Sequence, residues 1–147
     1  MHNMQLDDID TKIIKILEQN GRITNKKISQ NLKISEGTVR NRINRLIEHN
    51  HLKVKGLVNP ENDEKKVLVY VMIKLAGNRD SMEVAKAVAQ LKPINSVSII
   101  AGRFDLLAEI YIETHKLIEF LNRELSKIPS VLTVESLITL KNFYKWI

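Results

Sequence analysis

Three helix-starting signals follow one another near the N-terminus of the chain, and their spacing restricts how this part can fold. Asp7, Thr24 and Ser35 each precede apolar residues at helical spacing, and side chains of these types cap helix N-termini. The caps predict helices near residues 8–20 and 36–49, with a short helix between them. Because only about three residues separate the second helix from the third, the sequence predicts a helix-turn-helix arrangement.

The third predicted helix has a polar face that is poor in acidic residues. Its apolar residues fall within one sector, which we expect to be buried: Val39, Ile43, Leu46 and Ile47. On the polar face, asparagine suits adenine, while arginine suits guanine or phosphate. We expect Arg45 to read a base, and Arg40 and Arg42, on the flanks, to hold phosphate. The candidate DNA contacts are Ser35, Gly37, Thr38, Arg40, Asn41, Arg42, Asn44 and Arg45. A plain solvated helix face is the alternative interpretation.

The basic residues of the chain are concentrated around these helices. The 147-residue chain has a net charge of +6, and residues 21–58 alone hold nine basic and two acidic residues. A concentrated basic segment attracts polyanions such as DNA or RNA, and a solvated basic surface is again the alternative.

The rest of the chain alternates between strand and helix patterns. Every second residue from Val67 to Leu75 is apolar, as in a strand. The elements expected after it are a helix after Asp80, strands over 97–101 and 106–112, a helix capped by Thr114, and a last strand around 132–140. This βαββαβ order predicts an α+β fold of the ferredoxin-like type, with two helices on one face of an antiparallel sheet.

The predicted elements divide the chain into two domains and a connection. Residues 1–50 are expected to form the helix-turn-helix domain, and residues 67–147 the ferredoxin-like domain. Residues 51–66 are expected to hold a short strand over 52–58, which would make the first domain a winged variant, followed by a polar linker.

The predicted sheet has apolar residues on both faces, and two helices cover only one of them. An uncovered apolar surface predicts a partner, and a second copy around a two-fold axis is the simplest one. We therefore expect a homodimer. The aromatic residues near the C-terminus, Phe143, Tyr144 and Trp146, are expected to pack on the sheet or on the partner subunit.

The N-terminal third resembles the opening of the Lrp/AsnC (feast/famine) family of transcription regulators. The matching residues are Leu6-Asp7-Asp8-Ile9-Asp10, Ile13-Ile14, Leu17, Gly21-Arg22-Ile23, Ile28, Leu32, Ile34-Ser35, Thr38-Val39, Arg42-Ile43 and Arg45-Leu46. One departure is Asn50-His51-Leu52, where the family usually has a Gly before an Ile. The resemblance implies a regulator that binds double-stranded DNA and that dimerises through its C-terminal domain, often assembling further into octamers.

The resemblance also implies an effector site near a turn in the second domain. The turn is Gly102-Arg103-Phe104-Asp105, and Ser136 is expected to reach the same pocket between subunits. Exposed main-chain N–H groups would bind an amino acid's carboxylate, and Asp105 its ammonium group. A plain hairpin turn, in which Gly supplies a positive φ and Asp bonds its own backbone, explains the same residues equally well.

Nothing in the sequence points to catalysis, a metal or a cofactor. The chain has no cysteine, and its four histidines lack the spacing of metal ligands. No phosphate loop or catalytic triad is visible, and we expect no enzymatic activity. No apolar run is long enough to span a membrane, and the N-terminus lacks the features of a signal peptide. The expected location is the cytoplasm.

Three other functions are compatible with the predicted fold. An RNA-binding sheet would need aromatic residues on its strands, and the chain has three Phe, three Tyr and one Trp in all. An enzyme similar to siroheme decarboxylases would need several imidazoles, and only His115 lies in the second domain. An effector-independent, chromatin-organising protein would differ from a regulator in its ratio of specific to non-specific DNA binding.

Overall fold

Three helices form the first part of the structure, and each begins at its predicted cap. The structure is a computed structural model that describes residues 4–77 and 80–147, and it consists of two units that meet between Gly56 and Leu57. The helices are α1 (Asp8–Gln19), α2 (Asn25–Leu32) and α3 (Glu36–Glu48). The cap bonds to main-chain N–H groups are 2.8 Å long at Asp7, 3.3 Å at Thr24 and 3.0 Å at Ser35.

The core of the first unit lies between the apolar faces of the three helices. Its fully or almost fully buried residues are Ile13, Leu17, Ile28, Val39 and Leu46. Ile43 is half-buried, as expected for the rim of the same face. The prediction that Ile47 is buried was wrong, because 43% of it is exposed. At 100° per residue, Ile47 lies at the edge of the apolar sector of α3, and it is not part of the core cluster.

The strand predicted over residues 52–58 is absent from the structure, in which residues 52–59 are irregular. A strand needs a neighbouring strand for its main-chain groups. Among these residues, Leu52 donates its main-chain N–H to Leu46 at the end of α3, and Val58 pairs with Ile147. Val58 and Ile147 exchange two main-chain hydrogen bonds of 2.9 and 3.1 Å. The described residues of the first unit therefore form a helix-turn-helix without a wing.

The second unit has the predicted βαββαβ order. Its regular elements are β1 (Lys66–Leu75), α4 (Ser81–Ala89), β2 (Ile94–Ile99), β3 (Leu106–Glu113) and β4 (Val131–Ile138). The strands pair antiparallel in the order β2-β3-β1-β4. A 3-10 turn at Pro60–Asn62 precedes β1. This is the expected ferredoxin-like arrangement of an α+β domain.

One irregular helical segment, which we call α5, spans residues 114–127. Its pieces are 3-10 turns at Thr114–Lys116 and Leu125–Lys127, an α turn at Leu117–Glu119 and a π turn at Phe120–Glu124. Thr114 was predicted to cap this helix and does not. Its hydroxyl donates instead to the carbonyl of Lys65 at 3.4 Å, between the start of β1 and the end of β3.

The core of the second unit lies between the sheet and its two helices. Alternate residues of β1 and β3 face the helices: Val69, Val71, Ile73, Leu75, Leu106, Ala108, Ile110 and Ile112. Val84 and Val88 of α4 and Leu117, Phe120 and Leu125 of α5 complete the core. The period of two in each central strand therefore decides which face is buried.

The last strand ends sooner than the apolar pattern suggested. It stops at Ile138, and Leu140, which was expected in it, is 95% exposed. Residues 139–147 run on as an irregular tail that is tied to the unit by polar contacts. Phe143, Tyr144 and Trp146 are largely exposed and do not pack on the sheet as one alternative predicted. Their packing on a partner subunit stays a prediction.

None of the helices in the described part of the chain has the length and apolar composition that a membrane span requires.

Candidate nucleic-acid interface and effector turn

The polar face of α3 divides into an open side and an anchored side. On the open side, Arg40, Asn41 and Asn44 are exposed, and their side chains make no hydrogen bond to any other described residue. Gly37 lies near the start of the helix. A Cβ added there would meet only the Ser35 hydroxyl, at an ordinary 3.8 Å. The open side therefore offers one guanidinium and two amides to a ligand without breaking a contact within the protein.

On the anchored side, two arginines of α3 bind carboxylates of α1. Arg42 Nη1 donates to Asp7 Oδ2 at 2.6 Å and to Asp10 Oδ1 at 2.8 Å. Arg45 Nη2 donates to Asp10 Oδ2 at 2.8 Å. The sequence interpretation had placed Arg42 against phosphate and turned Arg45 away from the protein. In the structure both side chains bind carboxylates at the start of α1, and their contacts with DNA stay a prediction.

Asp10 is the residue that sequence reasoning missed. It is fully buried, and its carboxylate also accepts the main-chain N–H of Asp7 at 3.3 Å. The signal was present in the sequence, because Asp10 falls at helical spacing with Ile13 and Leu17 in the apolar stripe of α1. An acidic residue in a buried stripe requires a cationic partner. The cationic partners are Arg42 and Arg45 of α3, which lie 32 and 35 residues further along the chain.

The neighbouring Asp7 is held in its ionised form. The main-chain N–H of Asp10, followed by the Arg42 guanidinium, lowers the pKa of the Asp7 carboxyl below its ordinary value of 3.8. The two carboxylates in turn raise the pKa of Arg42. The pair of Asp7 and Arg42 therefore stays charged across the neutral range, and it links the start of α1 to the middle of α3.

The two hydroxyls at the start of α3 satisfy each other. Ser35 Oγ accepts the main-chain N–H of Thr38 at 3.0 Å and lies 2.8 Å from Thr38 Oγ1. Ser35 therefore caps α3, and the hydroxyls of Ser35 and Thr38 both lie at the surface.

Four cationic residues that precede α3 in the sequence of the first unit are also exposed: Arg22, Lys26, Lys27 and Lys33.

The predicted effector turn is a tight connection between β2 and β3. Gly102 has a φ of +146°, a conformation that L side chains rarely adopt. Asp105 closes the turn with its main chain, because its N–H donates to Ile73 and its carbonyl accepts from Ile100, both at 2.9 Å. The turn is therefore joined to the central strand β1 as well as to β2.

The Asp105 carboxylate is already engaged within the protein. Oδ2 accepts the main-chain N–H of Leu75 at 2.8 Å, and Oδ1 accepts from Lys74 Nζ at 3.0 Å. These two contacts, the main-chain bond first, lower the pKa of Asp105 below 3.8. The carboxylate thus has a structural role that the sequence did not reveal.

A cleft of about 450 Å³ opens beside this carboxylate. The described residues that line it are Lys74, Leu75, Ala76, Gly77, Ser81, Ile99, Ile100 and Asp105. Of the predicted effector residues, only Asp105 is among them. Ser136 pairs with Val71, four residues before the end of β1, so the structure does not bring it to the cleft. The contribution of Ser136 to an effector pocket between subunits stays a prediction.

The other turn residues form a small surface cluster. The Arg103 guanidinium lies 5.2 Å from the ring centroid of Phe104 and 3.9 Å from Glu135 Oε2. Phe104 is buried, whereas the Arg103 side chain is 83% exposed. Arg103 is therefore placed as a cation at the rim of the turn.

In the part of the chain that the structure describes, no group of three or more His, Asp or Glu side chains could hold a metal ion. His49 lies at the end of α3, where its Nδ1 is 2.9 Å from the carbonyl oxygen of Arg45. His51 and His115 are exposed, and His2 lies outside the described residues.

A helix-turn-helix with an open polar recognition helix, followed by a separate antiparallel α+β unit, defines a two-domain DNA-binding protein. Residues 6–47 match the AsnC-type helix-turn-helix domain, and residues 68–145 match the Lrp/AsnC ligand binding domain. The HTH-type transcriptional regulator FL11 of Pyrococcus furiosus is 34% identical over 131 residues, covering 88% of this chain and 84% of that protein. The chain belongs to the Lrp/AsnC family of transcriptional regulators.

Solved structures share the fold at lower identity. The leucine response regulatory protein LrpA of Mycobacterium tuberculosis matches with a TM-score of 0.80 at 22% identity, covering 95% of this chain and 96% of that one. A complex of the transcriptional regulator NMB0573 of Neisseria meningitidis with L-Met matches with a TM-score of 0.70 at 22% identity, covering 96% and 94%. Both likenesses show the same α+β architecture for this chain.

Proposed function

We propose that this transcriptional regulator recognises specific DNA sequences as a homodimer, and that a small effector, an amino acid, changes its affinity for DNA. The observation that carries the DNA part is the open side of α3. Arg40, Asn41 and Asn44 are exposed and uncommitted there, and they have the chemistry of base and phosphate contacts. Thr38 and Gly37, at the start of the helix, complete the proposed contact surface.

Homodimerisation is supported by exposed apolar residues on the edge strand β4. The large ones are Leu132, Val134, Leu137 and Ile138. Val134 and Ile138 pair with Ile73 and Val69 and share their face of the sheet, whereas Leu137 pairs with Tyr70 on the other face. A two-fold axis lets the same edge strand serve both copies, and larger closed assemblies such as an octamer are compatible with it. A dimer carries two copies of α3, so its operator would consist of two half-sites.

The effector part rests on the cleft beside Asp105. Lys74 and Asp105 form an ion pair at its wall, so an amino acid would find a cation for its carboxylate and an anion for its ammonium group. Gly102, Arg103 and Phe104 belong to the turn that holds Asp105 in place and would form the rim. The L-Met complex of the Neisseria protein supports this class of ligand.

We further propose that the protein acts by binding alone, without a cofactor or a reaction of its own, on DNA in the cytoplasm.

Selection of bound fragments from genomic DNA with the purified full-length protein tests the proposal. The expected result is an enriched motif with two related half-sites. Affinity for this operator is then compared with affinity for a random duplex at several salt concentrations, because non-specific binding alone would depend on salt and not on sequence. Recovery of fragments without a shared motif would contradict sequence-specific regulation and would favour a DNA-packing role.

A further inference from the structure

We propose that Asp10 is a positioning residue for DNA recognition. Its carboxylate binds one edge of the Arg45 guanidinium and helps to keep the Arg42 side chain within the protein. The inference rests on the proposed sequence-specific function. It assigns to a buried residue of α1 a part in the specificity of α3. Asp10 itself, being fully buried, does not touch DNA.

The two arginines are held in different ways. The side chain of Arg42 is 21% exposed, and its single Nη1 serves both Asp7 and Asp10. The side chain of Arg45 is 45% exposed and has only the one contact, from Nη2 to Asp10 at 2.8 Å. A guanidinium has five N–H donors in a rigid plane. Arg42 is therefore enclosed, whereas Arg45 keeps an outward edge whose direction is set by its bond to Asp10.

The position of Arg45 on the helix agrees with a recognition role. Arg45 and Asn41 are four residues apart, so they are neighbours on the surface of α3. A guanidinium fixed at one edge loses less conformational freedom when its other edge meets a base. The anchored Arg45 would then extend the open side of α3, with Asn41 between it and Arg40.

Stability alone does not account for a carboxylate in this place. A buried ion pair costs about as much in desolvation as it returns in attraction, and apolar residues of similar size often serve the fold as well. A fixed direction for two cationic side chains is something that an apolar residue would not provide. In the absence of Asp10, Arg45 would have no ionic partner among the described residues, and Arg42 would keep only Asp7.

This reasoning predicts effects of opposite sign on two kinds of DNA. In Asp10→Asn, Arg45 loses its anionic partner and becomes available to any phosphate, while Arg42 keeps Asp7 alone. Affinity for a random duplex should rise, and the slope of log K against log salt should steepen by about 0.9 for each phosphate gained. Affinity for the operator relative to random DNA should fall, by roughly tenfold if Arg45 reads a base.

Asp8→Asn is the matched control. Asp8 lies in the same turn of α1, is exposed, and its carboxylate makes no hydrogen bond or ion pair with a described residue. It changes the net charge by the same amount without releasing an arginine. Binding is measured with full-length protein at a temperature at which circular dichroism shows every variant to be folded. If Asp10→Asn has the same operator-to-random ratio and salt slope as Asp8→Asn, the inference is wrong.

A second variant covers the case in which Asp10→Asn does not fold. Arg45→Lys keeps the charge that pairs with Asp10 but replaces the planar fork by a single ammonium group. It should lower the operator-to-random ratio while leaving random-DNA affinity and folding near those of the wild type. An unchanged ratio in Arg45→Lys would also overturn the inference. Wild-type protein without any operator preference would instead contradict the proposed function, which separates the two failures.

Discussion

Glu61 binds Asn142 through both the main chain and the side chain, because its Oε1 accepts from Asn142 N and from Nδ2, each at 2.9 Å. Lys141 Nζ lies 2.6 Å from the other oxygen of the same carboxylate. With the main-chain pair between Val58 and Ile147, these contacts form a clasp between residues 58–61 and the tail 141–147. The clasp lies just beyond the boundary at Gly56 between the two units.

The clasp predicts an acid-dependent loss of stability. Its contacts lower the pKa of Glu61 from 4.5 to about 2, through Lys141 first and Asn142 next. A lowered carboxyl pKa contributes stability that is present above pH 4.5 and is lost as the pH falls towards 2. In Glu61→Gln, the melting temperature should be lower at neutral pH and should fall less than that of the wild type between these pH values.

Glu64→Gln is the control for this prediction, because Glu64 is exposed and its carboxylate makes no hydrogen bond or ion pair with a described residue. Its melting curve should follow that of the wild type at each pH. Parallel pH profiles for Glu61→Gln and the wild type would show that the clasp does not stabilise the folded chain.

A second prediction concerns the open side of α3. Asn41→Ala or Asn44→Ala should weaken operator binding by about 1–3 kcal/mol and relax the preference at one base position. Arg40→Ala should weaken binding to all sequences alike and reduce the salt slope by about 1, as the loss of a phosphate contact does. Titration of labelled operator and random duplexes at several salt concentrations measures both effects.

Lys127→Ala serves as the control for Arg40→Ala, since it removes an exposed positive charge from the second unit. Its salt slope should equal that of the wild type. If the asparagine variants affect operator and random DNA equally, the open side does not read bases.

The form of the operator gives a third prediction. Because a dimer presents two recognition helices, the protected site should be a pseudo-palindrome whose half-site centres lie about one helical turn, or a multiple of it, apart. Footprinting at saturation measures the spacing, and light scattering measures the mass of the protein. A monomer in solution, or protection of one asymmetric half-site, would remove the basis for this prediction.

A fourth prediction concerns Asp105. Asp105→Ala should remove effector binding, because the carboxylate is the proposed partner of the ligand's ammonium group. Since the carboxylate caps the N–H of Leu75 and pairs with Lys74, the variant should also melt at a lower temperature than the wild type. The stabilising contribution is present above pH 3.8 and is lost as the pH falls through the lowered pKa of Asp105. Arg103→Ala, at the exposed rim, should melt like the wild type.

The effector itself is the subject of a fifth prediction. In a thermal-shift screen of the twenty amino acids, a ligand that binds only the folded state must raise the melting temperature. We expect at least one to do so, and to change operator affinity by some 5–150-fold, because the coupling of two binding sites is reciprocal. Lys74→Met should abolish the shift if the cleft is the site. An effector acting at the turn or elsewhere would still produce a shift in this variant.

If no amino acid shifts the melting temperature or alters DNA binding at millimolar concentration, an amino-acid effector is excluded. The turn would then be purely structural, and the regulator would respond to its own concentration.

The elements of the fold could be predicted where the local signal was strong. Helix caps such as Thr24 and the alternation from Val67 to Leu75 depend on neighbouring residues, and both predictions were confirmed. Thr114 was misassigned because its hydroxyl bonds Lys65, 49 residues away. Residues 52–58 have a composition that is typical of a strand. A strand also needs a neighbouring strand to pair with, and a local sequence pattern does not identify one.

The binding surface was harder to predict because charges in sequence do not reveal their partners. Arg42 and Arg45 look like DNA contacts when α3 is considered alone, and only the packing of α1 shows that Asp10 holds them. Asp105 presented the same difficulty, because the carboxylate of this turn residue also binds the main-chain N–H of Leu75 at the end of β1. In both cases the missing information was a contact more than 29 residues distant in sequence.

The division of α3 into an open and an anchored side has a consequence for how related regulators diverge. The side chains of residues 40, 41 and 44 are exposed and make no hydrogen bond or ion pair with another described residue, so substitutions there carry little risk for folding. After gene duplication, a copy could acquire a new target through these positions one at a time. Asp10, Arg42 and Arg45 lack this freedom, because replacing one of them removes an ionic partner of another. New operators should therefore arise from the open side, while the anchored trio is inherited as a unit.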